Sequence, residues 1–213
     1  MQFRQEHIVV NQVTVHLLHY QSFDPTDYLD QLTELEKERY FEFQGEARKQ
    51  EFVATRILRH ALFGFKHIHY NEHGAPYIED EGYISISHTK GVVAIAVSKS
   101  ITVGVDLELI GNRAKSILKK FLSERELNML NTTSDVETTI AWSAKEVLYK
   151  LAGRKQIDFK KDLSIDKLTA EKWQGTINNS GVLVHVELAI FVCGELIVSV
   201  NSSPIIHEKI NIK

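Results

Sequence analysis

The residues of this chain best suited to chemistry lie in two short runs about forty positions apart, Gly104-Val105-Asp106-Leu107-Glu108 and Trp142-Ser143-Ala144-Lys145-Glu146-Val147-Leu148-Tyr149-Lys150. Carboxylates are hard oxygen ligands and ammonium groups neutralise phosphate oxygens, so the three acids and two lysines could together hold a divalent metal and a pyrophosphate. Such a site exists only if the elements carrying it converge. In the first run Val103, Val105, Leu107 and Leu109 alternate with Gly104, Asp106 and Glu108, the period of a strand, which puts both acids on one face. In the second, Ile140, Ala144, Val147, Leu148 and Leu151 make the apolar stripe of a helix, with Trp142, Glu146 and Lys150 at i, i+4 and i+8 on another face. Ser134 and Glu137 are spaced as a capping box to open that helix, and Gly153 is placed to end it.

The 213 residues fit one large domain or two small ones, and 43% hydrophobic with 25% charged residues is ordinary for a globular protein. A net charge of −3 gives no global reason to expect nucleic-acid binding. The single Cys193 has no intramolecular disulfide partner, and inside an apolar strand-like run it reads as a small core residue. The chain opens without a basic segment followed by an apolar core, and no apolar run approaches the ~20 residues that span a bilayer. A cytoplasmic protein, not bound to membrane, is the expectation.

Periodicity and turn residues predict a strand over 7–20, a helix from Asp24-Pro25 to about 43, and a second helix over 46–63. A meander of short strands follows at 76–78, 83–87, 92–98 and 103–109. Short helices are predicted at 114–121 and 123–130, the latter opened by a Ser123 and Glu126 capping box. The motif helix comes next, then strands at 163–168, 173–177, 182–192 and 195–200, with Cys193-Gly194 as a hairpin turn. This order predicts an α+β fold of two similar α/β subdomains related by pseudo-twofold symmetry. Residues 1–105 and 106–213 are the expected halves, tightly packed because no linker-like tract divides them, with the site at their interface.

The two motifs resemble those of the 4′-phosphopantetheinyl transferases: Gly-hydrophobic-Asp-hydrophobic-Glu, then Trp-Ser/Thr-x-Lys-Glu-x-x-x-Lys. The run Ser85-Ile86-Ser87-His88-Thr89 is similar to a third signature of that family, and residues 48–59 to its Arg-bearing helix. The length, with strands beyond the motifs, resembles the monomeric two-subdomain type that activates surfactin synthetase. The resemblance implies transfer of the phosphopantetheine arm of coenzyme A to a serine of an apo acyl or peptidyl carrier protein, with release of adenosine 3′,5′-bisphosphate. It implies Mg²⁺ or Mn²⁺ held by Asp106, Glu108 and Glu146. Glu146 would also be a candidate to accept the serine proton, directly or through water, the sequence not fixing which group takes it, and Lys150 would stabilise the leaving phosphate. Coenzyme A would be bound by Arg48, Arg56, Ser87, His88 and Lys150, with Arg59 a weaker candidate.

Blander readings exist for each residue. Asp106 and Glu108 alone would suit the solvated face of an edge strand, and Glu146 with Lys150 would suit a surface pair worth about 0.3–0.5 kcal/mol. Gly74-Ala75-Pro76 stands where relatives often have Gly-Lys-Pro, so a lysine near the adenosine is missing and His73 is the available substitute. Gly153-Arg154-Lys155-Gln156 likewise departs from a usual Gly-Lys-Gly. The segment 117–122 joins apolar residues to two lysines, and Lys119, Lys120 and Phe121 are expected to dock the carrier. His67 and His69 lack the partners of a structural zinc site. Two rival functions fit the same residues: a non-catalytic relative that binds coenzyme A or carriers, and a metal-dependent nucleotide hydrolase.

Overall fold

The computed structural model describes residues 2–154, 156–179 and 182–209. The predicted opening strand is two antiparallel strands, β1 (Phe3–Val10) and β2 (Val13–Tyr20). The chain reverses at Asn11, whose φ of 52° is a left-handed conformation that asparagine tolerates well. The predicted helix from Asp24 also divides, into a 3-10 segment (Pro25–Gln31) and α1 (Glu34–Glu42). The break falls where Thr33 and Glu36 form a capping box that starts a new helix. Helix α2 (Glu46–Phe63) matches the prediction and stops at Gly64, with φ at 63°.

After a small hairpin of β3 (His69–Tyr70) and β4 (Pro76–Tyr77) come β5 (Tyr83–Thr89), β6 (Val92–Ser98) and β7 (Val105–Leu109). The predicted helix over 114–121 is broken at Ile117 into α3 (Asn112–Ser116) and α4 (Leu118–Phe121). Helices α5 (Glu124–Met129) and α6 (Asp135–Leu151) follow, each close to expectation. Ser134 caps α6 through the Glu137 amide, but the Glu137 carboxylate accepts from the Asn131 amide instead of closing the box. The last strands are β8 (Leu163–Lys167), β9 (Lys172–Asn179), β10 (Val182–Cys193), β11 (Leu196–Asn201) and β12 (Ile206–Lys209).

Two main sheets result, one ordered β1-β2-β6-β5 and one ordered β7-β11-β10-β9-β8, with β12 paired to β10. Alternation along the strands separates three large cores, beside a small fourth cluster of Ile68, Ile78 and Ile84. Val92, Ala94 and Ala96 of β6 pack with Leu196, Val198 and Val200 of β11 between the sheets. Val93 and Ile95, on the opposite face of β6, pack with Phe52, Val53 and Leu58 of α2. Ile197 of β11 packs with Val147 and Leu148 of α6. The layers therefore run α2, four-stranded sheet, six-stranded sheet, α6. Cys193 corrects a prediction: it is exposed, not core, because it is the last residue of β10, and the two-residue turn is Gly194-Glu195. Among the described residues no helix is long and apolar enough to cross a membrane.

Candidate active site

The two sheets meet at their edges, β5 against β7, and side chains make the joint. The Ser85 hydroxyl accepts from the Val105 amide at 3.1 Å, and the Ser87 hydroxyl accepts from the Leu107 amide at 3.1 Å. Ser87 Oγ donates in turn to Asp106 Oδ1 at 3.0 Å. The alternation that sent Asp106 to one face of β7 thus delivers it to this seam. Behind β7 lies α6. A Cβ at Gly104 would sit 3.0 Å from the Val147 carbonyl oxygen, so glycine is what lets the approach to β7 pass this close to the helix.

From α6 the Lys150 ammonium donates to Asp106 Oδ1 at 2.9 Å and to the Val105 carbonyl at 2.6 Å. It is therefore not a surface partner of Glu146. Glu108 accepts from Trp142 Nε1 at 2.8 Å, and Trp142 is itself wedged between Phe121 and Phe159. The tryptophan of the second run thus orients the last carboxylate of the first. Glu146 has its carboxyl pushed up to about 7, chiefly by burial and then by the charge of Asp106, with Lys150 opposing. Glu108 is raised for the same two reasons. Among the described residues no three His, Cys, Asp or Glu side chains already converge as a metal cage. Asp106 Oδ2, however, is buried and unpartnered, an orphaned oxygen whose charge also raises Glu146 and Glu108, so a cation placed among them would favour the ionised form of all three.

Lys145, the first lysine of the helix run, is not in this site. It is 0% exposed, and the three N–H donors of its ammonium are shared among Glu126 and the carbonyls of Phe121, Phe159 and Leu163, all within 2.7–2.9 Å. Helical geometry separates neighbours by about 100°, so Glu146 can face the seam while Lys145 faces the core.

A cleft of about 340 Å³ opens over the seam, walled by Ser87 and His88 from β5, Arg48 and Arg56 from α2, and Glu146 and Lys150 from α6. Arg48 Nη1 lies 3.1 Å from both Glu51 Oε2 and His88 Nε2. Because the guanidinium can only donate, His88 Nε2 is the acceptor and its Nδ1–H faces Glu51 at 3.5 Å. The ring is thus neutral, in keeping with a pKa lowered mainly by burial. Arg56 reaches the cleft wall, yet its Nε is committed to Glu36 at 3.1 Å. Arg59 is wholly internal, bound to Glu36 and to the Gly64 and Gln31 carbonyls. His73 is not on the wall; its ring lies against Glu72.

Arg39, Glu51, Tyr70 and Arg154 also line the cleft and were missed. Glu51 is three residues after Arg48 on α2, a spacing that could have flagged it. Nothing local marks Arg39 or Tyr70, which only tertiary packing brings in. Phe121 is 1% exposed and belongs to the core, so it cannot take part in docking. Lys119 and Lys120 remain exposed, beside a groove lined by Ile117, Leu118 and Leu127.

Residues 102–200 match the family model described as the 4′-phosphopantetheinyl transferase superfamily. That stretch of the chain is similar to the superfamily's domain. No match was found among curated proteins. The matched span takes in β7, the helices α3 to α6 and the strands β8 to β10, and with them Asp106, Glu108, Glu146 and Lys150. Arg48, Arg56, His73, Ser87 and His88 lie outside the matched span. Proteins of this superfamily use coenzyme A and a divalent metal in general, and act on apo carrier proteins.

Proposed function

We propose that the protein transfers the 4′-phosphopantetheine arm of coenzyme A to a serine of an apo carrier protein, as a two-subdomain enzyme of the surfactin-synthetase-activating type. The observation that carries this reading is the seam itself: Ser87 and Lys150, which line a cleft whose walls also hold arginines and Glu146, both donate to Asp106 Oδ1. Cations suit a polyphosphate, and the acids beneath suit a hard metal ion.

Asp106, through its free oxygen, with Glu146 and Glu108 would hold Mg²⁺. When bound, that ion neutralises charge developing on the diphosphate. The chain's own residues do the rest. Arg48 and His88 bind the 3′-phosphate end, while Lys150 stays with the α-phosphate. The carrier serine hydroxyl attacks the β-phosphorus, the bond from that phosphorus to the bridging oxygen breaks, and adenosine 3′,5′-bisphosphate departs with the electron pair. Glu146 takes the serine proton, its carboxylate standing on the cleft wall beside Lys150. Lys119 and Lys120, beside the Ile117 and Leu118 groove, receive an acidic carrier helix.

The test is incubation with coenzyme A, Mg²⁺ and apo carrier proteins, read by mass spectrometry for a pantetheinyl addition on serine. Asp106→Ala, Glu146→Gln and Lys150→Ala should each lower transfer by about 10² or more. Release of bisphosphate without any carrier would favour the hydrolase instead.

A further inference from the structure

The cations of the cleft are not equivalent. Arg48 has Glu51, Arg56 has Glu36 and Lys150 has Asp106. Among the described residues Arg39 and Arg154 are paired with no carboxylate: Arg39 lies over the Tyr70 ring, whereas Arg154 Nη1 donates to the Gly74 carbonyl at 2.7 Å, across the cleft and 80 positions away in the chain. Its backbone is unusual as well. Gly153 and Arg154 are both left-handed, with φ of 78° and 59°, a conformation that comes freely to glycine and at a cost to arginine. The Arg154 amide is tied to the Tyr149 carbonyl at 3.2 Å, and two successive left-handed residues fold the chain back at the end of α6. Without that reversal the guanidinium would not lie on the wall that carries Glu146, Tyr149 and Lys150.

We propose that Arg154 is a specificity-determining contact for the diphosphate of coenzyme A and also a strap that holds the β3–β4 turn at Gly74 over the bound ligand. Like Lys150, it comes from the α6 side of the cleft, opposite the Arg48 and His88 pair, so the diphosphate and not the 3′-phosphate falls to it. A guanidinium has five donors in a fixed fork, which allows one edge to keep the Gly74 carbonyl while the other takes phosphate oxygens. The inference rests on the reading of this cleft as a coenzyme A site.

Calorimetric titration of the full chain with coenzyme A and with 3′-dephospho-coenzyme A, without metal or carrier, tests it. Arg154→Gly is the informative variant, because glycine relieves the left-handed strain and thermal melting should show the fold intact. It should weaken both ligands about ten-fold, whereas Arg154→Lys should recover only part of the loss. Arg48→Ala should weaken coenzyme A but leave the dephospho ligand nearly untouched. Equal binding by Arg154→Gly and wild type, or a loss confined to the ligand bearing the 3′-phosphate, overturns the assignment while the cleft reading stands. Failure of the wild type to bind either ligand overturns both.

Discussion

The two long helices are anchored by the same device and use it differently. In the N-terminal half the capping-box glutamate of α1, Glu36, receives Arg56 and Arg59 from α2. In the C-terminal half the capping-box glutamate of α5, Glu126, receives Lys145 from α6. Each carboxylate is almost fully buried, and a buried charge is tolerable only when paired and hydrogen-bonded. The difference lies in what faces the cleft. Arg56 both anchors α2 and lines the wall, so support and a place on the cleft share one side chain. On α6 the two roles fall to neighbours: Lys145 is sealed in the core and Glu146 faces the seam. Structure and chemistry are therefore separable by mutation in one half and entangled in the other.

The largest effect should come from Lys145→Ala, which strands the Glu126 carboxylate and empties an internal site. A loss of about 3–5 kcal/mol is expected in urea denaturation. The double variant Lys145→Met with Glu126→Gln should recover much of it, and a double variant no better than the single one would contradict the pairing. Arg56→Met should cost less, about 1.5–3 kcal/mol, because Arg59 still serves Glu36. Its distinctive signature is binding: coenzyme A affinity should fall with stability for Arg56→Met, whereas Lys145→Met, measured where it is folded, should bind normally. If both variants or neither lose affinity, the contrast between the halves fails.

Much of this arrangement was legible in the sequence. Alternation around Asp106 and the apolar stripe of α6 located the strand and the helix, because their periods differ and each extends over enough residues to be distinctive. What failed was local competition. The Thr33 capping box interrupts a run that reads as one helix, and Asn11 reverses a run that reads as one strand. The periodicity that put Glu146 and Lys150 on one face was right about direction and silent about distance, so Lys150 reaching Asp106 had to be seen. Lys145 was read as a site residue because its type suits phosphate. Only the buried carbonyls around its ammonium show otherwise. Arg154 was visible only as a departure, since a left-handed arginine leaves no pattern in sequence.

The halves also place opposite titrations on the cleft. Glu146, raised from 4.5 to about 7, favours folding when protonated, so its contribution is full below about pH 4.5 and lost as pH rises through 7. His88, lowered below 6.5, favours folding when neutral, and that contribution is lost as pH falls through its folded value. In chelator, Glu146→Gln should therefore be more stable than wild type at pH 8, by on the order of 2 kcal/mol, and nearly equal to it at pH 4.5. A parallel stability profile for the two proteins would show that Glu146 ionises freely.

The smallest expected effect concerns the seam where the two sheets join. Ser85 and Ser87 perform the same backbone task, each accepting one amide of β7, but Ser87 alone touches Asp106. Ser85→Ala should leave the Val105 amide without its partner and cost about 1–2 kcal/mol, with catalysis by the folded protein unchanged. Ser87→Ala should cost a similar amount and additionally slow transfer, because Asp106 would keep Lys150 while losing the hydroxyl that fixes its rotamer. Equal transfer rates for the two variants would mean that the seam only joins the sheets. A rate loss confined to Ser87→Ala would mean that the joint between the sheets is also where the carboxylate is aimed.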